Sequence, residues 1–296
     1  MKIVRVGIVV LFFLFSLQSS AQNFDYGKVS KEELLEKAHP LDSTTAAAMI
    51  FKKVRTYFVY NLKNGFTVNH EYSYRIKIYK KEGLNWANFV VPYYVGYEEM
   101  NDEYVKFSNA VTYNLENGAI VKTKLNNEGS FKKNVNEYWN QATISMPNVK
   151  VGSVIEFAYN LKSENIVKFP VFENQYDIPL NYSEYKTEIP EFFIYKPLII
   201  GYVKVKSEEK LVNGFQNFDD KNNQTTGIRY KQINSVYLSE NVPAIKDEEY
   251  LDNLKNYKSS IQYELERTRF PDQPVKDFTI TWEGVAKTIF ENKNFG

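Results

Sequence analysis

The chain carries two histidines, His39 and His70, and no cysteine. Thiolate chemistry is therefore closed to it, because the nucleophile that such catalysis needs is missing. His39 precedes Pro40 in a stretch with loop composition. His70 opens "HEYSYRIKIYKKEG", where His70, Tyr72, Tyr74, Ile76 and Ile78 fall on one side and Glu71, Ser73, Arg75 and Lys77 on the other. Strict alternation is the signature of a strand, so His70 reads as a packed side chain and not as a base. Two histidines do not build a His-rich zinc site without several carboxylates, and neither a metal nor a cofactor is predicted. No Gly-x-Ser-x-Gly elbow, phosphate loop or calcium loop occurs. The adjacent acids Glu98-Glu99, Asp219-Asp220 and Glu248-Glu249 read as solvated charge, the common condition of such pairs. No catalytic residue is predicted, and the chain as it stands is expected not to be an enzyme.

Two other groupings remain. Arg75 is out of phase with the apolar side of its strand, and Glu156 is out of phase with that of "VIEFAY". If the two strands are neighbours, Arg75 and Glu156 meet as a cross-strand ion pair with a structural role. The run "YYVGYEEMNDEY" offers Tyr93, Tyr94 and Tyr97 as a patch on which a sugar or a protein could stack.

The elements around these residues are mostly strands. Ser30 followed by Glu33 has capping-box spacing, which predicts a short helix over about 31–37, ended by Pro40. In "AAAMIFKKVRTYFVY" the second half favours strand, and the first half is open between helix and strand. Asn64-Gly65, Asn117-Gly118 and Asn213-Gly214 each predict a two-residue type I′ hairpin. In "MPNVKVGSVIEFAYNL" the residues Val151, Ser153, Ile155, Phe157, Tyr159 and Leu161 share one face. "NYSEYKTEIP", "GIRYKQINSVYL" and "SIQYELERT" supply further strands, and "KDEEYLDNLKNYKSS" reads as a helix or polar loop. The expected fold is mainly β, an antiparallel β-sandwich. "RFPDQPVKD" then reads as a linker, followed by a helical stripe of Trp282, Val285, Ala286, Ile289 and Phe290.

The first residues, "MKIVRVGIVVLFFLFSLQSSAQ", form an export signal. Lys2 and Arg5 precede the apolar run Gly7 to Leu17, and Ser19 and Ala21 stand at positions −3 and −1 before Gln22. No Cys follows for lipid attachment. Without Lys2 and Arg5, 35 of the 37 basic residues face 36 acidic ones, a net charge of −1 that does not suit nucleic acid. No later segment approaches membrane-spanning length. The expected domains are a signal peptide at 1–21, a helical arm at 22–44, a sandwich at 45–268, a linker at 269–280 and the start of a further domain at 281–296.

Four stretches together, "HEYSYRIKIYKKEG", "MPNVKVGSVIEFAYNL", "NVPAIKDEEY" and "TWEGVAKTIFENKNFG", resemble a bacterial domain of unknown function. That domain sits N-terminal to transglutaminase-like cores in exported proteins. The likeness runs from about Asp42 to Leu265 and is most specific at Pro147, Gly152, Ser153, Ile155 and Glu156 together with Arg75, Ile78 and Gly83. It implies a β-sandwich followed by a papain-like core that opens at the Trp282 helix. The Cys-His-Asp machinery of such a core is not in this sequence, so no catalytic residue carries over. The implied role is a non-catalytic accessory domain in the periplasm, or outside the cell, of a Gram-negative bacterium, with the core as its partner. The alternative is a free-standing module that binds envelope glycan or protein.

Overall fold

In the computed structural model, residues 24–61, 65–96, 102–126, 129–219, 225–246, 253–270, 273–278 and 290 are described. The export signal, Tyr97, the acid pairs Glu98-Glu99 and Glu248-Glu249, and the Trp282 helix with its domain start lie outside the described residues.

The protein is mainly β. A five-residue helix α1 (Lys31–Leu35) begins with the predicted capping box: Glu33 N–H donates to Ser30 Oγ, and Ser30 N–H donates to Glu33 Oε2. Then follow β1 (Ala47–Asn61), β2 (Gly65–Ile78), a 3-10 helix (Lys81–Ala87), β3 (Asn88–Tyr94), β4 (Glu103–Glu116) and β5 (Ala119–Lys124). Next come β6 (Ser130–Asn134), β7 (Trp139–Ser145), β8 (Val154–Ser163), β9 (Phe172–Glu173) and β10 (Leu180–Pro190). The last are β11 (Phe193–Ile200), β12 (Lys206–Asp219), β13 (Thr225–Val242), β14 (Ser260–Thr268) and β15 (Lys276–Asp277). "AAAMIFKKVRTYFVY" is strand from Ala47 onward, and the "KDEEYLDNLKNYKSS" stretch shows a single 3-10 turn at Leu254–Asn256. Within the stretch read as a linker, β15 pairs with β14, and Phe270 and Phe278 pack on the core.

Eight strands form one sheet in the order β12-β13-β10-β1-β2-β8-β4-β5. A four-stranded sheet holds β11, β14, β15 and β9, and a three-stranded sheet has the order β3-β7-β6. Both small sheets pack on the inner face of the large one through a single apolar core. Phe58 of β1 stacks on Phe193 of β11 at 4.5 Å, and Tyr74 of β2 meets Phe89 of β3 at 5.2 Å. Aromatic pairs of this kind add about 0.5–1.5 kcal/mol each beyond the area they bury.

Three expectations need correction. The large sheet is not wholly antiparallel, because β1 and β10 pair in parallel. That pairing joins strands more than a hundred residues apart, and local alternation carries no information about it. Of the three Asn-Gly pairs, only Asn117-Gly118 makes the two-residue turn, with φ of 49° and 75° and Glu116 opposite Ala119. At the first pair, Asn64 lies outside the described residues, and Gly65 (φ 67°) is already paired with Asn61 as the first residue of β2. Asn213-Gly214 makes no turn at all and lies within β12. There Gly214 faces the Tyr230 ring, and a Cβ would stand 2.3 Å from Tyr230 Cε2. The glycine makes room for an aromatic ring across the ladder. Finally, β8 begins at Val154, which leaves Val151 exposed in the preceding turn and not on the buried face.

Candidate functional site

The large sheet has two faces that treat charge differently. On the outer face, Arg75 and Glu156 are direct cross-strand partners in the β2–β8 register, and both are 0% exposed. Arg75 Nη2 is 2.7 Å from Glu156 Oε1, and Nε donates to the same oxygen at 2.8 Å. Arg75 Nη1 reaches Glu33 Oε1 at 3.0 Å, and Nη2 also donates to the Asp25 carbonyl at 2.6 Å. Glu156 Oε2 accepts from the Tyr113 hydroxyl at 2.8 Å and from Gly27 N–H at 3.0 Å. The side chain of Lys77 is held by the carbonyls of Leu34 at 3.0 Å and Gly152 at 2.7 Å. Tyr79 O–H donates to Glu36, and burial pushes the Tyr79 phenol well above its ordinary value.

More than half of those partners belong to residues 25–36. The N-terminal arm therefore crosses the outer face as a strap, fastened by polar bonds and by the Phe24–Tyr182 ring stack at 4.5 Å. Several positions that carry the family resemblance, among them Arg75, Glu156, Gly152 and Ser153, lie at this corner, whereas Ile155 faces the inner core. Gly152 (φ 93°) donates to Ile78 O, and Ile78 N–H donates to Ser153 O. Gly83 sits where a Cβ would meet the Ala46 carbonyl at 2.3 Å. These residues build the scaffold and are not placed to act on a ligand.

Both histidines are scaffold as well. His70 is 1% exposed, its Nδ1 is 2.8 Å from Thr56 Oγ1, and its ring stands edge-on to Phe169. Burial pushes the His70 imidazole down to about 3, so it is neutral in the folded protein. His39 accepts Asp42 N–H at Nδ1 and lies 2.8 Å from Asn181 Oδ1 through Nε2. Among the described residues, no group of three His, Cys, Asp or Glu is arranged to hold a metal ion. Among them, too, no helix is long and apolar enough to cross a membrane.

The inner face holds a cleft of about 780 Å³ between the large sheet, the β3–β7 wall and residues 165–176. Its floor is a ladder of rings: Tyr72 stacks on Tyr159 at 4.4 Å, and Tyr74 lies over Phe157 at 5.1 Å. Burial raises the Tyr72, Tyr74 and Tyr159 phenols well above their ordinary value, so all three are neutral donors. At the mouth, Tyr94 meets Trp139 edge-on at 5.5 Å, and Trp139 is 44% exposed. Glu103 lines the cleft with its carboxylate engaged by Tyr94 N–H at 2.9 Å and Ser163 Oγ at 3.1 Å.

Two lysines line the cleft: Lys168, which is exposed, and Lys52 of β1, which is 2% exposed. Lys52 is the buried one. Its Nζ donates to the Glu173 carbonyl and to the Tyr176 hydroxyl, both at 2.7 Å, and stands 4.3 Å from the centre of the Phe172 ring. Desolvation pulls the amine down to about 7, against a weaker opposing pull from the Glu173 carboxylate.

The predicted tyrosine patch is broken up by strand alternation. Tyr93 points into the core at 4% exposure, whereas Tyr94 lines the cleft. Lys52, Trp86, Phe89 and Trp139 were not singled out from sequence. Lys52 escapes notice because a β-bulge between Met49 and Phe51 shifts the phase of β1, turning Lys52 and not Phe51 toward the inner face.

A family model described as a domain of unknown function with a solved structure (DUF3857) matches residues 66–258. The chain belongs to that family. Arg75, Glu156 and most of the cleft lie within the DUF3857 match, while Lys52 and the strap precede it. The DUF3857 chain is also similar to a crystal structure described as that of a putative protease from Parabacteroides distasonis. The two are 14% identical with a TM-score of 0.52, over 74% of this chain and 40% of that one. At that identity the likeness is one of fold, and this chain spans 40% of the other's length. No curated protein matches.

Proposed function

We propose that this DUF3857 chain is a non-catalytic accessory domain of an exported protein, working beside a transglutaminase-like core in the periplasm or outside the cell. In this reading the large sheet is a scaffold, and the aromatic cleft is the surface that engages a ligand or a partner of the whole protein. The observation that carries it is how the ionisable groups are used. Arg75, Glu156, Glu33 and Lys77 are consumed in fastening the strap, and His70 is a neutral packed ring. The open, ring-lined feature is the cleft, whose size and lining suit binding. The family resemblance and the fold likeness to part of a longer chain agree with a companion core.

The test is an assay of purified residues 22–296 against peptide, amide and ester substrates. The expected result is no turnover above the blank, and turnover that survives repurification contradicts the proposal. Export is tested by N-terminal sequencing of the protein recovered from the periplasm or medium, where the first residue is expected to be Gln22.

A second reading, a free-standing module for envelope glycan or protein, is favoured by Trp139 standing exposed beside Tyr94 at the mouth of the cleft. It predicts glycan-dependent melting shifts that vanish in a Tyr94→Ala, Trp139→Ala double variant.

A further inference from the structure

The geometry points to the inner cleft as a binding site for a ligand with one carboxylate and one aromatic side chain, the carboxylate seated on Lys52. This rests on the reading of the cleft as a binding surface and names the chemistry it takes. Buried cations are ordinarily paired with anions, because an unpaired charge in an apolar setting is costly. Lys52 departs from that pattern. Its two partners are a carbonyl and a phenol, and no carboxylate lies within 4.0 Å of it among the described residues. An ammonium has three donors, so one is left for an incoming group.

The surroundings select what that group can be. Glu173 and Glu103 also line the cleft. Glu103 already accepts two hydrogen bonds, and the carboxylate of Glu173 is exposed and acts on Lys52 only from a distance. Their charge admits a single carboxylate and opposes a second one. Lys168, the other cation at the cleft, is exposed and hydrated, and contributes attraction at the entrance. The walls beside Lys52 are rings: Phe172 beneath the amine, then Tyr176 edge-on to Trp86 at 6.2 Å, then Tyr74. An aryl side chain next to the carboxylate fills that space by offset or edge contacts. The volume of about 780 Å³ takes one or two residues of a peptide.

The same chemistry is found in a free aryl acid and in a peptide ending in an aromatic residue. Binding is coupled to protonation, because a carboxylate beside the amine favours its charged form. The groups that face the amine and set this coupling are Glu173, Tyr176 and Tyr74, with Glu103 and Lys168 further along the cleft.

Calorimetric titration of residues 22–296 at pH 8 tests the assignment. The probes are N-acetyl-L-phenylalanine, a hexapeptide with a C-terminal phenylalanine, and the C-terminal amide of each. At least one acid is expected to bind at least about tenfold more tightly than its amide, equivalent to about 1.4 kcal/mol. Binding by the peptide alone assigns the site to chain ends, and binding by both acids extends it to free aryl acids. Titration in two buffers of different ionisation enthalpy is expected to show proton uptake by the wild-type protein. Lys52→Met is expected to erase the preference for acid over amide. Glu173→Gln, which changes an exposed side chain and keeps the backbone carbonyl that holds Lys52, is expected to strengthen acid binding by about threefold through removal of a like charge. Equal affinity for acid and amide, or no saturable binding of either acid at about 10 mM, overturns the assignment. Those outcomes concern the cleft alone, whereas turnover by the same preparation contradicts the accessory role and leaves the acid preference standing.

Discussion

The two faces of the eight-stranded sheet both bury basic side chains, and they resolve the cost in opposite ways. On the outer face, Arg75 has two carboxylates, and Glu156 has a phenol and a backbone N–H besides its arginine. On the inner face, Lys52 has a carbonyl and a phenol and no ion partner within reach among the described residues. A charge with every bond satisfied is part of the architecture. A charge without its counter-ion, beside an open cleft, is a place where something else can bind. The contrast lies in partners and not in burial, since both side chains are almost fully hidden from water.

The comparison can be broken from the outer face first. Glu156→Leu removes one of the two carboxylates on the buried Arg75 and the acceptor of Gly27 N–H and Tyr113 O–H, and is expected to lower stability by about 3–5 kcal/mol in urea unfolding. The Arg75→Met, Glu156→Leu pair is expected to recover part of that loss and not all, because Glu33, Gly27 N–H and the Asp25 carbonyl then lose their partner. A loss below about 1 kcal/mol for the single variant would place the pair with ordinary surface bridges.

His70 gives a smaller, pH-dependent effect on the inner face. Its folded-state value of about 3 lies below its ordinary 6.5, so the unfolded chain takes up the proton first. Stability is full above about pH 6.5 and falls as the pH drops toward 3, by about 2 kcal/mol between pH 7 and pH 5. His70→Leu is expected to flatten that slope, and an unchanged slope in chemical denaturation from pH 7 to 5 removes His70 as its source.

The smallest effect belongs to the exposed part of the outer face. Arg55 bridges Glu188 at 2.6 Å and Glu71 at 3.6 Å, and it is about half exposed. Arg55→Ala is expected to cost below about 1 kcal/mol, less in high salt, and a larger loss would mean that this part of the face is as tightly organised as the strap corner.

Features encoded within a few residues of one another were legible in the sequence. The capping box at Ser30 and Glu33, the turn at Asn117-Gly118 and the alternation through Tyr72, Tyr74 and Ile76 all depend on local backbone geometry. The phase argument that sets Arg75 opposite Glu156 works for the same reason, once β2 and β8 are adjacent. What remained hidden depends on distant chain. The bulge near Met49 reverses the phase of β1 and sends Lys52 inward, and no residue in "AAMIFKKV" announces it. The cleft draws its lining from β1, β2, β3, β4, β7, β8 and the segment 165–176, so no short stretch contains it. Gly214 has the local chemistry of a turn, but the ring of Tyr230 across the ladder decides its role.

The most direct test of the two-face account is the unfolding free energy of wild type and Lys52→Met at pH 7 and pH 10. Lys52 is held at about 7 against an ordinary 10.5, so its cost is present at neutral pH and disappears as the pH rises past its unfolded value. Lys77, lowered to about 8, shifts both proteins alike and cancels in the difference. The account predicts that Lys52→Met is more stable than wild type by about 1–3 kcal/mol at pH 7, with the advantage gone near pH 10. A variant that is instead destabilised at pH 7, by as much as Glu156→Leu, would show that Lys52 is already paired and contradict the account.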